Sequence, residues 1–291
     1  MRPPGGTTPT SATSWIWLFL AMRSSTSASS WPGTATRTVP QPAAVSSGGP
    51  LSGGMSSIAV MDVILIPGFW LNAASWDGVV PALEAAGHRV RALTLPGLAS
   101  IDDDRAGVGL ADHVAAVTAV IDDTDAPVAL VGHSGGGAIA HAAVDARPDR
   151  VARVVYVDSV PLGDGGLIND ELPVVDGEIP LPDWSVFEEE DLTDLDDELR
   201  ERFRATSIPE PVGVATDRQV LRDPRRYDVP ITVITCEFPS EMLRELMAKG
   251  HSYTAELAKV HDAKLVDLPT GHWPQFTKPA ELGAAIVEAL T

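Results

Sequence analysis

The stretch PVALVGHSGGG at residues 127–137 constrains the fold more than any other part of the chain. An apolar, strand-like run ends in the motif Gly-His-Ser-Gly-Gly at 132–136, and a helical pattern follows. A serine on so sharp a turn holds a sparsely populated backbone conformation, and a Cβ at either flanking glycine would collide with a neighbouring strand or helix. The pattern predicts that Ser134 stands at the carboxyl end of a strand, where helix amides stabilise negative charge. A glycine-rich turn without chemistry is the alternative, since the chain has 25 glycines.

Repeated strand and helix patterns from residue 61 onward predict a mostly parallel sheet flanked by helices. The expected strands are 61–66, 88–95, 128–132, 151–157, 231–235 and 263–268. The expected helices are 110–121, 135–146, 240–249 and 279–290, together with one that Ser75 caps and Gly87 ends. Ligands of such a sheet bind at the carboxyl ends of its strands.

The alternation stops between residues 161 and 228, a segment too long for a simple loop. Its prolines include Pro173, Pro180, Pro182, Pro209 and Pro211, and a helix is expected near 196–204. We interpret the segment as a cap inserted over the sheet. Trp184 and Phe187 either line a substrate pocket or tie the cap to the core, and the acidic run at 188–191 is expected to be a solvated face.

Residues 1–60 differ from the rest, because Ser, Thr, Pro and Gly make up 34 of them. Such a composition buries too little apolar surface to fold, which predicts disorder. The apolar stretch at 14–22 makes a weak signal peptide and is too short to span a bilayer. A misassigned start, with translation beginning at Met55 or Met61, is the interpretation we favour. The domain at 61–291 would then be cytoplasmic, and it would be secreted if 14–22 is a signal peptide.

Composition excludes several classes of protein. A single cysteine, Cys236, rules out an internal disulfide framework and a thiolate metal cluster. All 40 acidic residues lie in residues 61–291, against 21 Lys and Arg in the whole chain. The resulting negative charge argues against nucleic acid and anionic membrane surfaces as partners. A hydrophobic content of 44% is sufficient for a sizeable core.

Seven histidines are present, and one lies where a serine nucleophile needs a base. Imidazole can take the serine proton during attack and return it to the leaving group. His272 follows the last predicted strand in the sequence Thr-Gly-His-Trp, where it can reach Ser134. The other six have no comparable motif around them, and a structural role is expected for each.

Three separated motifs together resemble the α/β-hydrolase superfamily. They are Pro-Gly-Phe-Trp at 67–70, which resembles its oxyanion loop, the serine turn at 132–136, and Thr-Gly-His-Trp at 270–273. The order Ser, acid, His agrees with the superfamily. The resemblance covers about residues 60–291, and the stretch at 83–90 is similar to the small plant-type methylesterase and hydroxynitrile lyase branch. It implies an α/β-hydrolase fold without a cofactor or metal.

The resemblance leaves the acid of the triad open. In most of the superfamily the acid follows the next-to-last strand, where this chain has Glu237 and, further on, Glu241. In a minority of relatives it follows the strand after the elbow helix, and Asp158 fits that place. We rank Asp158 ahead of Glu237, with a turn or capping residue as the alternative role of Asp158.

Backbone N–H groups of Gly135 and Phe69 are the expected donors to a developing oxyanion. Pro67 replaces the histidine usual in the family's loop, but the donors are backbone groups and can persist. The candidate substrate-binding residues, each with a structural role as its alternative, are Trp70, His133, Trp184 and Trp273.

These features predict a serine hydrolase that cleaves a small, largely apolar carboxylic ester through an acyl-enzyme. The same triad would also support a hydroxynitrile lyase, or hydrolysis of a lactone, an amide or a carbon–carbon bond. A haloalkane dehalogenase is excluded, because it needs a carboxylate in place of Ser134. A non-catalytic small-molecule receptor with a hydrolase fold, or an interaction protein with an acidic cap, would retain the fold without the chemistry. The oligomeric state is not encoded in any motif.

Overall fold

The computed structural model describes residues 60–291. The expectations for the N-terminal extension, including its apolar stretch at 14–22 and the choice of start, concern residues outside this range. None of the helices in the described part of the chain combines the length and apolar composition needed to cross a membrane.

Eight strands form two sheets in residues 60–291. In chain order they are β1 (Asp62–Ile66), β2 (Arg89–Ala92), β3 (Val128–His133), β4 (Val151–Val157), β5 (Glu178–Ile179), β6 (Glu210–Pro211), β7 (Ile231–Thr235) and β8 (Ala263–Asp267). Six of them make one sheet in the order β2-β1-β3-β4-β7-β8, and every neighbouring pair in it is parallel. Strands β5 and β6 form a separate antiparallel pair. The predicted parallel sheet is confirmed.

The helices of the described chain pack on both faces of this sheet. In order they are α1 (Val80–Ala85), α2 (Leu110–Asp122), α3 (Gly135–Ala146), α4 (Asp197–Thr206), α5 (Val212–Thr216), α6 (Ser240–Ala248), α7 (Pro274–Thr277) and α8 (Pro279–Ala289). One apolar layer lies between the sheet and α2, α3 and α6, and the other lies under α1 and α8. This is the α/β-hydrolase architecture expected from the sequence.

Strand β1 shows why the apolar runs form central strands. Val63 and Leu65 lie in the layer with α1 and α8, whereas Ile64 and Ile66 lie in the opposite layer. All four are at most 1% exposed. A strand buried on both faces must be apolar at every position, and each such side chain contributes about 1.5–3 kcal/mol of burial free energy.

Two local predictions at the start of the domain differ from the structure. Ser75 does not cap a helix; it lies in a 3₁₀ turn whose amide at Ala74 donates to the Asn72 side chain at 3.1 Å. The Asn72 oxygen can accept that amide because Asn72 immediately precedes the turn, which is the capping position. Strand β2 spans only Arg89–Ala92, whereas a strand was expected over 88–95. It lies at the sheet edge and pairs only with β1. Gly87 ends α1 as predicted, with φ of 93°.

Residues between β4 and β7 leave the sheet and contact the loops at its carboxyl ends. The backbone N–H of Ile208 donates to the Trp70 carbonyl at 3.0 Å, and that of His272 donates to the Asp191 carbonyl at 2.8 Å. Asp191 itself is 6% exposed, which corrects the expectation that the acidic run is a solvated face. Its carboxylate instead accepts the Glu188 amide at 2.8 Å and closes a turn.

Candidate active site

The turn between β3 and α3 places Ser134 in a strained backbone conformation. Its φ is 51° and its ψ is −124°, a region that costs of order 1–3 kcal/mol for a residue with a Cβ. The Ser134 amide donates to the Val157 carbonyl at 3.1 Å and so ties the turn to β4. The surrounding sheet and helix therefore hold the serine in the conformation that the motif predicts.

The flanking glycines are required by close backbone contacts. A Cβ on Gly132 would lie 2.5 Å from the carbonyl oxygen of Gly136 in α3. A Cβ on Gly136 would lie 2.5 Å from the Pro67 carbonyl oxygen and 2.6 Å from that of Ile66. Real Cβ atoms do not approach carbonyl oxygens so closely, so both positions need glycine. The first clash is with the helix and the second with the end of β1.

The serine hydroxyl and an imidazole meet at the carboxyl edge of the sheet. The distance from Ser134 Oγ to His272 Nε2 is 2.8 Å, although the residues are 138 positions apart in the chain. His272 follows β8, and its loop is fixed by the cap, since the amides of Gly271 and His272 donate to the carbonyls of Thr193 and Asp191. The geometry permits direct proton transfer from the hydroxyl to the ring.

The other ring nitrogen of His272 contacts both candidate acids. His272 Nδ1 lies 2.7 Å from Asp158 Oδ2 and 2.7 Å from Glu237 Oε1. Asp158 follows β4 and is further held by the Cys236 amide, which donates to its Oδ1 at 2.8 Å. Glu241 is different, because its side chain is 71% exposed and pairs with Arg244 on the helix surface. The structure thus brings together Asp158 and Glu237 but not Glu241.

Electrostatics fixes the tautomer of His272. Burial opposes a charge on His272, but the negative charge that the pair Asp158 and Glu237 places against Nδ1 raises the pKa of His272 well above its usual range. The hydrogen bond from His272 holds the pKa of Asp158 below its usual range against the effect of burial. Burial and the charge of Asp158 raise the pKa of Glu237 well above its usual range. The Nδ1 proton therefore points at carboxylate, and in the neutral ring Nε2 is the nitrogen that can accept the proton of Ser134.

The loop that carries Phe69 packs against the first turn of α3. Gly135 is the first residue of α3, so its amide has no acceptor within the helix. The Phe69 ring packs directly on it, since a Cβ at Gly135 would lie 2.8 Å from Phe69 Cε1. Gly68 passes equally close to the turn, with Ser134 Cβ 3.0 Å from the place of its missing Cβ. The loop after β1 is thus held against the serine turn, as an oxyanion hole requires.

His133 contacts the backbone of the loop that carries His272. It is fully buried; its Nε2 lies 2.7 Å from the His272 carbonyl oxygen and its Nδ1 lies 3.3 Å from Gln275 Nε2. Burial, together with the charge of His272, lowers the pKa of His133 to about 3, so the ring is neutral. It donates through Nε2 to the His272 backbone and accepts through Nδ1. The same ring also borders the cavity above the serine.

A cavity of about 20 Å³ lies directly above Ser134. Apart from Ser134, His133 and His272, it is lined by Phe69, Trp70, Ile168, Asn169, Phe187 and Trp273. This volume accommodates about one water molecule. The walls are mainly aromatic and aliphatic, so a group that enters the cavity contacts mainly apolar side chains.

Trp184 does not line this cavity. Its ring lies one layer behind, with its centroid 5.6 Å from Phe187 and 5.9 Å from Trp273. Sequence reasoning missed Ile168 and Asn169, which come from the cap in an irregular stretch without a motif. The one sequence signal at Asn169 is that of a turn, because asparagine readily accepts amides that follow it in the chain. Its side chain accepts the amides of Glu171 and Leu172.

One group of residues offers the donors that a divalent cation would need. Asp158, Glu237 and His272 place two carboxylate oxygens and one ring nitrogen within 4.8 Å of one another. A cation held there would take the position of the Nδ1 proton. It would therefore compete with the hydrogen bond that orients the ring.

Comparison with known families agrees with this geometry. The sequence profile described as "Alpha/beta hydrolase family" matches residues 63–285, which include both β1 and His272. The chain belongs to the α/β-hydrolase family.

Individual relatives of this α/β-hydrolase include proteins named as a pyrethroid hydrolase and a lipase. A pyrethroid hydrolase of Sphingobium wenxiniae is 35% identical over 122 residues, which cover 42% of this chain and 43% of that protein. The lipase LipV of Mycobacterium tuberculosis is 28% identical over 204 residues, covering 60% of this chain and 73% of that one. The match to the pyrethroid hydrolase thus spans less than half of its length.

The fold of this α/β-hydrolase is also shared by solved structures. An extracellular α/β-hydrolase from a Paenibacillus species has a TM-score of 0.64 at 20% identity, covering 79% of this chain and 98% of that one. A methylesterase of Arabidopsis has a TM-score of 0.60 at 17% identity, with coverage of 79% and 99%. The resemblance to the superfamily inferred from three motifs is confirmed at the level of fold.

Proposed function

We propose that the protein is a serine hydrolase that cleaves small, largely apolar carboxylic esters through an acyl-enzyme. The observation that carries the proposal is the contact of Ser134 Oγ with His272 Nε2 at 2.8 Å beneath an apolar cavity. The named activities of the relatives, pyrethroid hydrolase and lipase, support the same class of bond.

In the first half-reaction Ser134 attacks the ester carbonyl while His272 Nε2 takes the hydroxyl proton. The negative charge on the carbonyl oxygen is stabilised by the amides of Phe69 and Gly135. The tetrahedral intermediate collapses, the C–O bond to the alcohol breaks, and His272 returns the proton to the leaving alkoxide. Asp158 acts as a positioning residue through the Nδ1 proton.

Deacylation repeats the sequence with water. His272 takes a proton from the water as its oxygen attacks the acyl carbonyl, and it then protonates Ser134 as the acid product leaves. All groups that move protons belong to this chain, so the mechanism needs no cofactor.

Hydrolysis of p-nitrophenyl acetate by the purified protein, with release of p-nitrophenol, tests the proposal. We expect Ser134→Ala to abolish turnover and to prevent labelling by a fluorophosphonate probe, with an unchanged melting temperature. Ser100→Ala, in an exposed loop, is the matched control and should keep both. Turnover by Ser134→Ala at the wild-type rate would refute the assignment. Absence of labelling of the wild type would instead favour a non-catalytic receptor.

A further inference from the structure

Glu237 is a buried carboxyl group to which the mechanism above gives no role. It follows β7, and its Oε1 lies as close to His272 Nδ1 as Asp158 Oδ2 does, both at 2.7 Å. The side chain of Glu237 is 11% exposed and that of Asp158 is 2% exposed. Two carboxyl groups from different strands therefore meet one nitrogen that can donate only one proton.

The two carboxyl groups also contact each other. One carboxyl oxygen of each residue lies within 4.8 Å of the other, and the Glu237 amide donates to Asp158 Oδ1 at 3.4 Å. Two ionised carboxylates cannot be held in contact away from water, because their repulsion is weakly screened there. A single proton between them converts that repulsion into a hydrogen bond, as in other coupled carboxyl pairs.

The surroundings decide which member carries the proton. Asp158 receives the Cys236 amide at 2.8 Å, and such a donor stabilises the ionised form. Burial and the neighbouring acidic groups raise the pKa of Glu237. They therefore stabilise its protonated form. Asp158 is therefore the ionised member at neutral pH and Glu237 the protonated one.

We propose that Asp158 and Glu237 form one acid pair that shares a single proton, and that Glu237 is a second positioning residue for His272. The proposal rests on the function proposed above, because it concerns the orientation of the same base. Either member of the pair can accept the Nδ1 proton of His272. When one carboxyl group is removed, the other still places a negative charge beside His272 Nδ1. When both are removed, the pair supplies no charge there.

Other ionisable groups also face Glu237. They come from each element packed on it: Asp158 after β4, Cys236 at the end of β7, Tyr253 after α6, His272 before α7 and Asp191 in the cap. Burial raises the pKa of the Cys236 thiol and of the Tyr253 hydroxyl, so both stay neutral. Burial also raises the pKa of Asp191, which adds a third carboxyl group that disfavours ionisation of Glu237.

The test compares D158N, E237Q and the double variant by hydrolysis of p-nitrophenyl acetate. We expect each single variant to lose roughly tenfold in kcat and the double variant to lose on the order of 10³- to 10⁴-fold, as when a triad acid is removed outright. The double loss then exceeds the product of the single losses. Glu241→Gln, an exposed acid on α6, is the control and should match the wild type. Equal losses in D158N and the double variant would overturn the proposal.

The pH profile shows whether the pair carries one negative charge or two. Because the pair carries one negative charge, E237Q should leave the acid limb of kcat/KM within about half a pH unit of the wild type. If both carboxyl groups were ionised, E237Q would remove a charge beside His272 and move that limb to lower pH by about one unit or more. A shift of that size would reject the shared proton.

A measurement without turnover separates this proposal from the proposed function. The Nδ1 proton of His272, hydrogen-bonded to carboxylate, gives a low-field proton NMR signal. We expect the signal in the wild type and both single variants and its loss in the double variant, with all four folded by circular dichroism. Its loss in D158N alone would refute the acid pair even if no ester is cleaved. An inactive wild type that shows the expected NMR pattern would refute only the esterase assignment.

Discussion

The carboxyl group of Glu210 lies 3.4 Å from the backbone nitrogen of Trp70 and accepts its hydrogen bond, so a cap residue holds the loop after β1. Trp70 needs such support, because its φ of 65° is unusual for a residue with a Cβ. The amide of the preceding residue, Phe69, is the candidate oxyanion donor. The cap and the oxyanion loop are therefore fixed to each other at this contact.

Glu210 makes the folded state sensitive to pH. It is 1% exposed, and burial raises its pKa to about 8, above the ordinary value near 4.5. The folded state thus binds a proton that the unfolded chain releases, and stability falls as pH rises from about 4.5 to about 8. We expect Glu210→Gln to remove this contribution. Thermal melting of both proteins between pH 5 and 9 measures it, and parallel curves would contradict the assignment.

Gly136→Ala should destabilise the serine turn far more than an alanine elsewhere. The new Cβ would overlap the carbonyl oxygens of Ile66 and Pro67, and the resulting shift of α3 costs about 2–4 kcal/mol. Gly107→Ala is the control, since no atom lies within 4 Å and only its φ of 75° is strained, at about 1 kcal/mol. Urea unfolding measures both free energies of unfolding. Similar losses would show that the turn adapts to a side chain.

Arg226 should matter far more to stability than its neighbour Arg225. The Arg226 guanidinium is 8% exposed and donates to Asp145 in α3 and to Glu256, both at 3.0 Å. Arg226→Met leaves the buried Asp145 without its cation, whereas Glu256 keeps its contact with Lys259, and the loss should cost about 3–5 kcal/mol. Arg225 also pairs with two acids, but its side chain is 56% exposed and water replaces the lost contacts. Melting temperatures of the two Met variants provide the comparison.

Phe187→Ala should widen the range of accepted acyl groups. Phe187 borders the cavity of about 20 Å³, and removing its ring opens space above Ser134. We expect kcat/KM for p-nitrophenyl butyrate relative to the acetate to rise about tenfold, the order of effect of a few methylene groups in an apolar pocket. Trp184→Ala, one layer behind, is the control and should change this ratio less. An unchanged ratio in Phe187→Ala would place the acyl group elsewhere.

Local sequence patterns were sufficient to predict the parallel sheet and the turn that carries Ser134. The apolar runs of β1 and β3 and the helix of α3 lie within one or two residues of the expected bounds, because burial on both faces leaves few residue types acceptable. The prediction that Ser75 is an N-cap was wrong. Several polar residues near α1 could cap a turn, and which one does so depends on local geometry that the periodicity of the sequence does not contain.

The identity of the acid illustrates the limit of sequence reasoning. Asp158 and Glu237 each follow a strand of the same sheet, so each was a reasonable candidate, and the structure places both on His272 Nδ1. A motif gives residue types in order along the chain. Whether two side chains reach one nitrogen depends on distances between strands β4, β7 and β8, which no motif states.

The sequence by itself determined the strand-and-helix order, the strained position of Ser134 and the choice of His272, because these follow from short-range sterics and from periodic burial. Only the tertiary structure decided that the cap leaves about 20 Å³ above the serine, that Asp191 is buried, and that two acids converge on one ring. These are properties of side chains from distant segments packed against each other. Their positions are fixed only when the whole chain has folded.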